Sequence, residues 1–259
     1  MATLYKEGSR GEVVKFIQRT VGAAMDGVWG IKTTEAVKAW QKKHKLEVDG
    51  LASSATLQRM VGLDITEGHI NKHITLCRGR KVEYIAIHYT AGTSSRKGMA
   101  MATRNVFLSR AASADFVVDD ETVVQINPDI QNYYCWSVGD AKNKWSGGGR
   151  LYGRATNRNT VSIEICSNLK VGASAAMANH DGWYFTEQSL DLAARLVRWL
   201  MMVYDVPRDR VVRHYDVSGK LCPGMTGWND AMLYTITGQP TKLRNNSARW
   251  EVFREKLKI

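Results

Sequence analysis

Two hydrophobic patterns divide the chain. Up to about residue 62, apolar positions recur at helical spacing, as in residues 12–21, and glycine-containing turns separate the helical stretches. From residue 82 onward, short β-branched runs alternate with longer amphipathic segments. The patterns predict a small helical domain followed by a larger domain that contains both strands and helices.

The helical part contains a short internal repeat. Asp26-Gly27 and Asp49-Gly50 are each followed by an aliphatic residue and then by a helix with a Ser or Thr cap. The repeat therefore predicts a three-helix bundle. The caps expected for its second and third helices are Thr33 or Thr34 and Ser53 or Ser54, respectively.

Strands and helices alternate irregularly in the larger part. The predicted elements are strand 82–88, helix 99–110, a hairpin of 115–119 and 122–126, strand 160–166, a long helix capped by Thr186, short helix 228–234, polar loop 239–247 and final helix 248–257. Residues 132–158 are rich in loops, glycines and aromatic side chains, a composition typical of a cleft wall.

The pattern sets the expected domain boundaries. Residues 1–63 form the helical domain, 64–80 a linker and 81–259 the larger domain. In the linker, His69, His73 and Cys77 are spaced by four, which on a helix would place three zinc-type ligands on one face. The segment lacks a helical period, so no metal site is expected there.

A short segment near the C-terminus contains residue types that bind metals or act in catalysis. His214, Lys220 and Cys222 lie within it, and His and Cys are preferred zinc ligands. A third ligand must come from elsewhere, and His88 at the end of strand 82–88 is the best candidate. Glu164 lies between two isoleucines of a buried strand, where a carboxylate needs a partner or a function.

Three ligands with one open position are typical of catalytic zinc. In such a site Glu164 could act as general base and Lys220 could stabilise an oxyanion. The alternative interpretation is structural, because a histidine at a strand end and a single cysteine are more often ordinary core residues.

Composition narrows the expected partners. The net charge of +11 favours polyanionic surroundings such as nucleic acid, anionic lipid or an anionic cell wall. Lys and Arg are scattered along the chain, which disfavours nucleic acid, and no apolar run predicts membrane insertion. The first residues lack the apolar region of a signal peptide, so we expect synthesis in the cytoplasm, reduced thiols and release by another factor.

Four segments of the larger part, 87–91, 113–119, 159–165 and 214–224, carry a family resemblance. They occur in the order seen in zinc-dependent N-acetylmuramoyl-L-alanine amidases, which include phage endolysins and relatives of peptidoglycan recognition proteins. The resemblance covers about residues 80–225. It implies an α/β domain with a mixed β-sheet flanked by helices, and hydrolysis of the amide between N-acetylmuramic acid and L-alanine.

The resemblance also implies roles for individual residues. By position, His88, His214 and Cys222 correspond to the ligands of Zn²⁺, and Glu164 and Lys220 to the catalytic pair. The expected substrate contacts are Trp136, Tyr89 and Thr90.

The helical domain resembles the peptidoglycan-binding module of cell-wall hydrolases. The matching positions include Gln18, Gln41 and both Asp-Gly pairs. The resemblance implies that bacterial peptidoglycan is the partner. The candidate wall contacts are Asp26, Gly27, Trp29 and Asp49, with Trp29 either offering a face to a sugar ring or belonging to the core.

Two positions depart from the family pattern. Asp115 stands where many relatives have histidine, and Ala114 where some phage members have a catalytic tyrosine. The tyrosine-assisted mechanism is therefore not expected, unless Tyr89, Tyr133 or Tyr134 substitutes. We therefore expect Glu164 to be the proton-transfer group.

The combined prediction is a zinc-dependent peptidoglycan amidase, most simply a phage or prophage endolysin that a holin releases to the cell wall. Two alternatives stay open. A non-catalytic peptidoglycan-binding protein would bind the wall without cleaving it. A zinc peptidase acting within the stem peptide would release different amino termini.

Overall fold

A mixed six-stranded sheet forms the centre of the larger domain. The computed structural model describes residues 2–139 and 147–259, so residues 140–146 of the predicted loop-rich stretch lie outside the described residues. The strands of this sheet, in spatial order, are β1 (Ile65–Glu67), β5 (Val123–Gln125), β4 (Phe116–Val118), β7 (Thr160–Ile165), β3 (Tyr84–Tyr89) and β10 (Val211–Arg213). Strands β4, β7, β3 and β10 are mutually parallel, whereas β5 is antiparallel to β4.

Three small strand pairs, seven α-helices and one 3₁₀ helix (Arg208–Arg210) complete the secondary structure of the described residues. The pairs are β2 (Ile74–Leu76) with β6 (Tyr133–Cys135), β8 (Asn168–Leu169) with β9 (Trp183–Tyr184), and β11 (Met232–Tyr234) with β12 (Pro240–Arg244). The helices are α1 (Glu12–Val21), α2 (Ile31–Lys43), α3 (Ser54–Met60), α4 (Met99–Val106), α5 (Glu187–Tyr204), α6 (His214–Ser218) and α7 (Ala248–Glu255). The predicted class, a mixed α/β sheet flanked by helices with a helical N-terminal region, is confirmed.

The alternation of side chains along the strands assigns each helix to one face of the sheet. On β4, Phe116 and Val118 join the apolar cluster that contains α5, whereas Val117 packs with Ala100 of α4. On β7, Ile163 and its alternate neighbours face α5. Because successive side chains of a strand point to opposite faces, the remaining β7 positions face away from α5.

The segment predicted to be a linker is instead part of the larger fold. Strand β1 pairs with β5 at the sheet edge, and β2 pairs with β6. Arg80 is fully buried and forms an ion pair with Asp115 at 3.3 Å. Its guanidinium also donates to the carbonyls of Tyr133 (2.7 Å) and Thr160. The prediction failed because runs of three residues are too short to show a strand period.

The predicted internal repeat corresponds to two equivalent hydrogen-bonded loops. The Gln18 side-chain amide donates to Asp26 Oδ1 at 2.8 Å, and the Gln41 amide donates to Asp49 Oδ1 at the same distance. In each loop, the backbone N–H of the glycine after the aspartate donates to the glutamine Oε1 at 2.9 Å. The repeated Asp-Gly pairs are therefore explained by loop construction, since each aspartate accepts the hydrogen bonds that organise its own turn.

In the helical domain, the structure decides between the two positions left open for Trp29 and contradicts the expected cap of α2. Trp29 is only 1% exposed and its indole N–H donates to Thr34 Oγ1, so it belongs to the core and offers no face to a sugar. Helix α2 begins at Ile31 after Gly30, and neither Thr33 nor Thr34 caps it. The Thr33 hydroxyl instead accepts a hydrogen bond from the Gln18 side-chain amide, and the Thr34 hydroxyl accepts one from the Trp29 indole N–H. The predicted cap of α3 is confirmed, because the Ser53 hydroxyl accepts from Thr56 N.

The helical domain packs directly on α5 of the larger domain. The Tyr5 hydroxyl donates to the Met202 carbonyl at 3.0 Å, and the Trp199 indole donates to the Ser54 carbonyl at 3.0 Å. Apolar side chains of α3, including Leu57, lie in the same continuous cluster as those of α5. The two parts therefore share a hydrophobic core.

Several boundaries in the larger domain also differ from the pattern. Residues 228–234, predicted as a helix, contain a loop and β11, and the predicted polar loop 239–247 contains β12. These residues form strands because β11 and β12 hydrogen-bond to each other through their backbones. A local sequence pattern does not contain this pairing between separate segments. Helix α4 ends at Val106, and a turn follows up to Arg110. In the described residues no helix has the length and apolarity needed to cross a membrane.

Replacement of Asp115 by alanine is expected to leave the buried Arg80 guanidinium without its anion. Breaking one partner of a buried ion pair costs about 3–5 kcal/mol of the free energy of unfolding. Urea denaturation followed by far-UV circular dichroism measures this quantity.

The matched control is Glu121→Ala, which removes the exposed ion pair with Lys97 and should change the free energy of unfolding by less than about 1 kcal/mol. Equal effects of the two substitutions would show that the Arg80–Asp115 pair has no special structural role.

Candidate active site

Three buried side chains with metal-binding atoms meet at the carboxyl end of the parallel strands. His88 lies near the end of β3, His214 follows β10 directly, and Cys222 lies in the next loop. His88 Nδ1 is 3.0 Å from His214 Nδ1 and 3.7 Å from Cys222 Sγ. All three ligand atoms lie within 4.8 Å of one another. The structure thus brings together three residues that are far apart in sequence.

The local fold of residues 213–224 explains why His214 and Cys222 face each other. Asp216 accepts from the Arg213 backbone N–H and guanidinium at 2.9 Å, which fixes the start of the short helix α6. Gly219 ends that helix with φ = 82°, a left-handed conformation that glycine adopts without strain. The chain then folds back, and Tyr215 N donates to the Cys222 carbonyl at 3.0 Å.

The donor set and its spacing fit a zinc ion. Tetrahedral zinc with N and S ligands requires N···N and N···S separations of about 3.3 and about 3.6 Å, given its usual bond lengths. His214 Nε2–H donates to the Val138 carbonyl at 2.9 Å, which leaves Nδ1 free of its proton and directed at the cluster. Among residues 2–139 and 147–259, no fourth His, Cys, Asp or Glu joins the group.

Burial controls the protonation of the three candidate ligands. It lowers the pKa of His88 well below its ordinary value and that of His214 to about 3, and the positive charge of Lys220 acts in the same direction. Both imidazoles are therefore neutral at pH 7 and have lone pairs available. Burial and the nearby Glu164 raise the pKa of the Cys222 thiol to about 12. A bound divalent cation would favour the thiolate and so oppose this effect.

Glu164 lies beside His88 because β7 and β3 pair in parallel, with the two residues in register. Burial raises the pKa of its carboxyl group to about 8, although the positive charges of Lys220 and Arg110 lower it. Its Oε2 atom is buried and has no hydrogen-bond partner in the part of the chain that the structure describes. Glu164 is therefore a carboxyl group that can exchange a proton near neutral pH.

Two cavities adjoin the three-residue cluster. The smaller, of about 330 Å³, is lined by Glu164, Cys222 and His88 at its base. The larger, of about 930 Å³, reaches His214. Lys220 and Trp136 line both cavities. The two cavities therefore form one cleft that passes the cluster.

The predicted substrate contacts all lie at this cleft. Trp136 is 42% exposed, and its indole N–H donates to Thr75 Oγ1 at 2.8 Å. Tyr89 and Thr90 line the smaller cavity. Burial raises the pKa of the Tyr89 hydroxyl, which is therefore protonated at neutral pH.

Sequence reasoning missed other residues of the site. Arg110 lines the smaller cavity, yet it was placed at the end of a helix without a function. Arg80 donates hydrogen bonds to backbone carbonyls and forms a buried ion pair with Asp115. Asp115 also accepts hydrogen bonds from the Asn127 side-chain amide and from Ser162 N. The departure of Asp115 from the family pattern thus has a structural explanation.

Comparisons with known proteins agree with this geometry. Residues 78–225 match the profile of the N-acetylmuramoyl-L-alanine amidase family, and residues 13–60 match a profile described as a putative peptidoglycan binding domain. The chain belongs to the N-acetylmuramoyl-L-alanine amidase family.

Individual members of the amidase family cover only part of this chain. N-acetylmuramoyl-L-alanine amidase CwlH of Bacillus subtilis is 32% identical over 169 residues, which are 63% of this chain and 56% of CwlH. XlyB of the same organism is 31% identical, over 54% of this chain and 37% of XlyB. The solved structure of PlyL has 21% identity and a TM-score of 0.48, and the match covers 76% of this chain and 98% of that one. The chain thus spans about half the length of CwlH.

A methyl group at Gly224 is expected to disturb the amidase site. A Cβ atom there would lie 2.5 Å from Tyr89 Oη and 2.8 Å from the Leu221 carbonyl oxygen. Gly224→Ala should therefore lower the free energy of unfolding by about 1–3 kcal/mol, the usual effect of overpacking. Thermal denaturation with and without added zinc measures the change.

Gly30→Ala is the matched control, because no atom lies within 4 Å of a Cβ at that position and the expected change is below about 1 kcal/mol. A Gly224→Ala protein as stable as the control would contradict the close packing of the Cys222 loop against Tyr89.

Proposed function

We propose that the protein hydrolyses the amide bond between N-acetylmuramic acid and the L-alanine of the peptidoglycan stem peptide. The observation that carries this proposal is the buried cluster of His88, His214 and Cys222 beside Glu164 in a chain of the amidase family. The open cleft past the cluster provides room for a glycan on one side and a peptide on the other.

We further propose that His88, His214 and Cys222 hold a zinc ion. When bound, zinc supplies a Lewis acid that polarises the scissile carbonyl group. The support for this assignment is the neutral state of both imidazoles, the separations between the ligand atoms and the hydrogen bond from His214 to the Val138 carbonyl.

Glu164 acts as the proton-transfer group in this proposal. Its carboxylate takes a proton from the attacking water as the water oxygen bonds to the carbonyl carbon. It then gives that proton to the L-alanine nitrogen as the C–N bond breaks, which yields a free amine and a lactyl carboxylic acid that loses its own proton to solvent or to the amine. Burial raises the pKa of the Glu164 carboxyl, so its carboxylate is a stronger base than that of an exposed glutamate.

Lys220 stabilises the carbonyl oxygen as it becomes negative. The residue is exposed at the cleft, and its charge acts on Glu164, His88 and His214. An ammonium group near a developing oxyanion lowers the free energy of the transition state more than that of the substrate.

The helical domain is proposed to bind the same wall polymer. Its match to a putative peptidoglycan binding domain supports this role. The shared core with α5 holds the domain against the catalytic part, so wall binding would keep the cleft near its substrate. Asp26 and Asp49 contribute by shaping the two repeat loops.

Digestion of purified peptidoglycan should produce new N-terminal L-alanine without new reducing sugar ends. Mass spectrometry of the released muropeptides together with amino-terminal labelling measures both products. Glu164→Gln should reduce the rate by about 10²–10⁴-fold, because the amide keeps the shape but cannot transfer the proton. The control Glu67→Gln changes an exposed carboxyl group at the sheet edge and should retain full activity.

Each alternative result would indicate a different activity of this protein. Other new amino termini indicate a peptidase, binding to peptidoglycan without product indicates a wall-binding protein, and new reducing ends indicate a glycosidase. Any of these outcomes in place of N-terminal L-alanine contradicts the proposal.

Removal of zinc should abolish hydrolysis, and stoichiometric zinc should restore it. Cys222→Ala should lose tight metal binding, measured as metal content per chain and as the thiolate-to-metal absorption of the cobalt-substituted protein. Cys77→Ala is the control, since Cys77 is a partly exposed cysteine outside the cluster. Full activity and unchanged metal content in Cys222→Ala would contradict the zinc assignment.

A further inference from the structure

The two halves of the cleft differ in chemistry. The larger cavity is lined by Tyr134 and Trp136 and by polar groups such as Asn157, a lining suited to a sugar ring. The smaller cavity is lined by Glu164, Arg110 and Lys220, of which Arg110 and Lys220 are exposed. Because the proposed scissile bond lies where the cavities meet, the glycan would occupy the larger cavity and the peptide the smaller one.

The smaller cavity carries unbalanced positive charge. Of the described residues that line either cavity, Glu164 is the only acid. Arg110 and Lys220 are exposed, and neither forms an ion pair with any residue in the ranges 2–139 and 147–259. Both residues line the same cavity as Glu164, and their charges lower the pKa of its carboxyl group.

Arg110 differs from a nearby arginine that has a structural role. The Arg104 guanidinium donates to the carbonyls of Gly68 (3.0 Å) and His69 (2.7 Å), which joins α4 to the chain before β2. The Arg110 guanidinium has no such partner among the described residues, although it lines the cavity. Its five N–H donors are therefore available to a ligand.

We propose that Arg110, together with Lys220, binds a free carboxylate on the stem-peptide residue that follows L-alanine. This inference rests on the proposed function, because it names the part of that substrate which occupies the smaller cavity. A guanidinium forms paired hydrogen bonds with a carboxylate but not with the corresponding amide. The site would therefore favour a stem peptide with an acidic second residue over one in which that residue is amidated. Arg110 is a specificity residue and takes no part in the proton transfer.

Two synthetic substrates of the same shape test this inference. They are N-acetylmuramoyl-L-alanyl-D-isoglutamate and its amide, N-acetylmuramoyl-L-alanyl-D-isoglutamine, and chromatography of the released dipeptide gives kcat/KM for each. The zinc-loaded full chain should cleave the acid about tenfold better than the amide, the usual effect of one charge-assisted contact. Arg110→Gln should bring the acid-to-amide ratio of kcat/KM close to one. The ratio is the readout because the Arg110 charge also acts on Glu164 and can change the rate for both substrates alike.

Arg158→Gln is the matched control, because Arg158 is an exposed cation that lines only the larger cavity. Its acid-to-amide ratio should equal that of the unmodified protein. A ratio near one in the unmodified protein would overturn the inference. An equal loss of preference in Arg110→Gln and Arg158→Gln would also overturn it, since the preference would then reflect the overall charge of the cleft.

Direct binding separates this inference from the proposed function. If neither substrate is cleaved and peptidoglycan yields no N-terminal L-alanine, the proposed function fails. Titration of L-alanyl-D-isoglutamate and L-alanyl-D-isoglutamine into the zinc-loaded protein, followed by NMR, then decides the role of Arg110. Tighter binding of the acid that disappears in Arg110→Gln supports the role, and equal binding of both dipeptides contradicts it.

Discussion

The candidate site depends on the register of three parallel strands. Pairing of β3 with β7 sets His88 beside Glu164, and pairing of β10 with β3 sets Arg213 beside Ile87, so His214 follows at the level of His88. A shift of one residue in either pair would move a side chain to the opposite face of the sheet, against α5. The metal-binding atoms and the carboxyl group meet only because both registers are correct.

Burial of the side chains at the carboxyl end of these strands shifts the pKa values of the site residues. The α5 face of the sheet is apolar, and Arg80 satisfies backbone carbonyls on the strands and loops below the site. Desolvation keeps the two imidazoles neutral, which favours metal binding, and raises the pKa values of Glu164 and Cys222. In the proposed zinc site, both imidazoles would therefore have a lone pair for the metal, and the bound cation would favour the Cys222 thiolate.

The sequence predicted those features that depend on local pattern or on a family motif. The segment with His214 and Cys222, the strand carrying Glu164 and the strand-end His88 were recognisable from their residues. The family resemblance then favoured a shared zinc site over ordinary core roles. The burial of Arg80 was not predicted and the position of Trp29 stayed open, because a local sequence pattern does not reveal which side chain will be buried. The strands of residues 228–244 and the position of Arg110 depend on tertiary packing, which local periodicity does not contain.

The central claim is that these strands build a metal site with three protein ligands and one open position. X-ray crystallography of the zinc-loaded protein, with anomalous scattering recorded on both sides of the zinc absorption edge, tests it most directly. We expect one zinc ion per chain, bound by His88 Nδ1, His214 Nδ1 and Cys222 Sγ, with the fourth position open to the cleft. Zinc bound elsewhere in the chain, or closed off by a fourth protein side chain, would contradict the account.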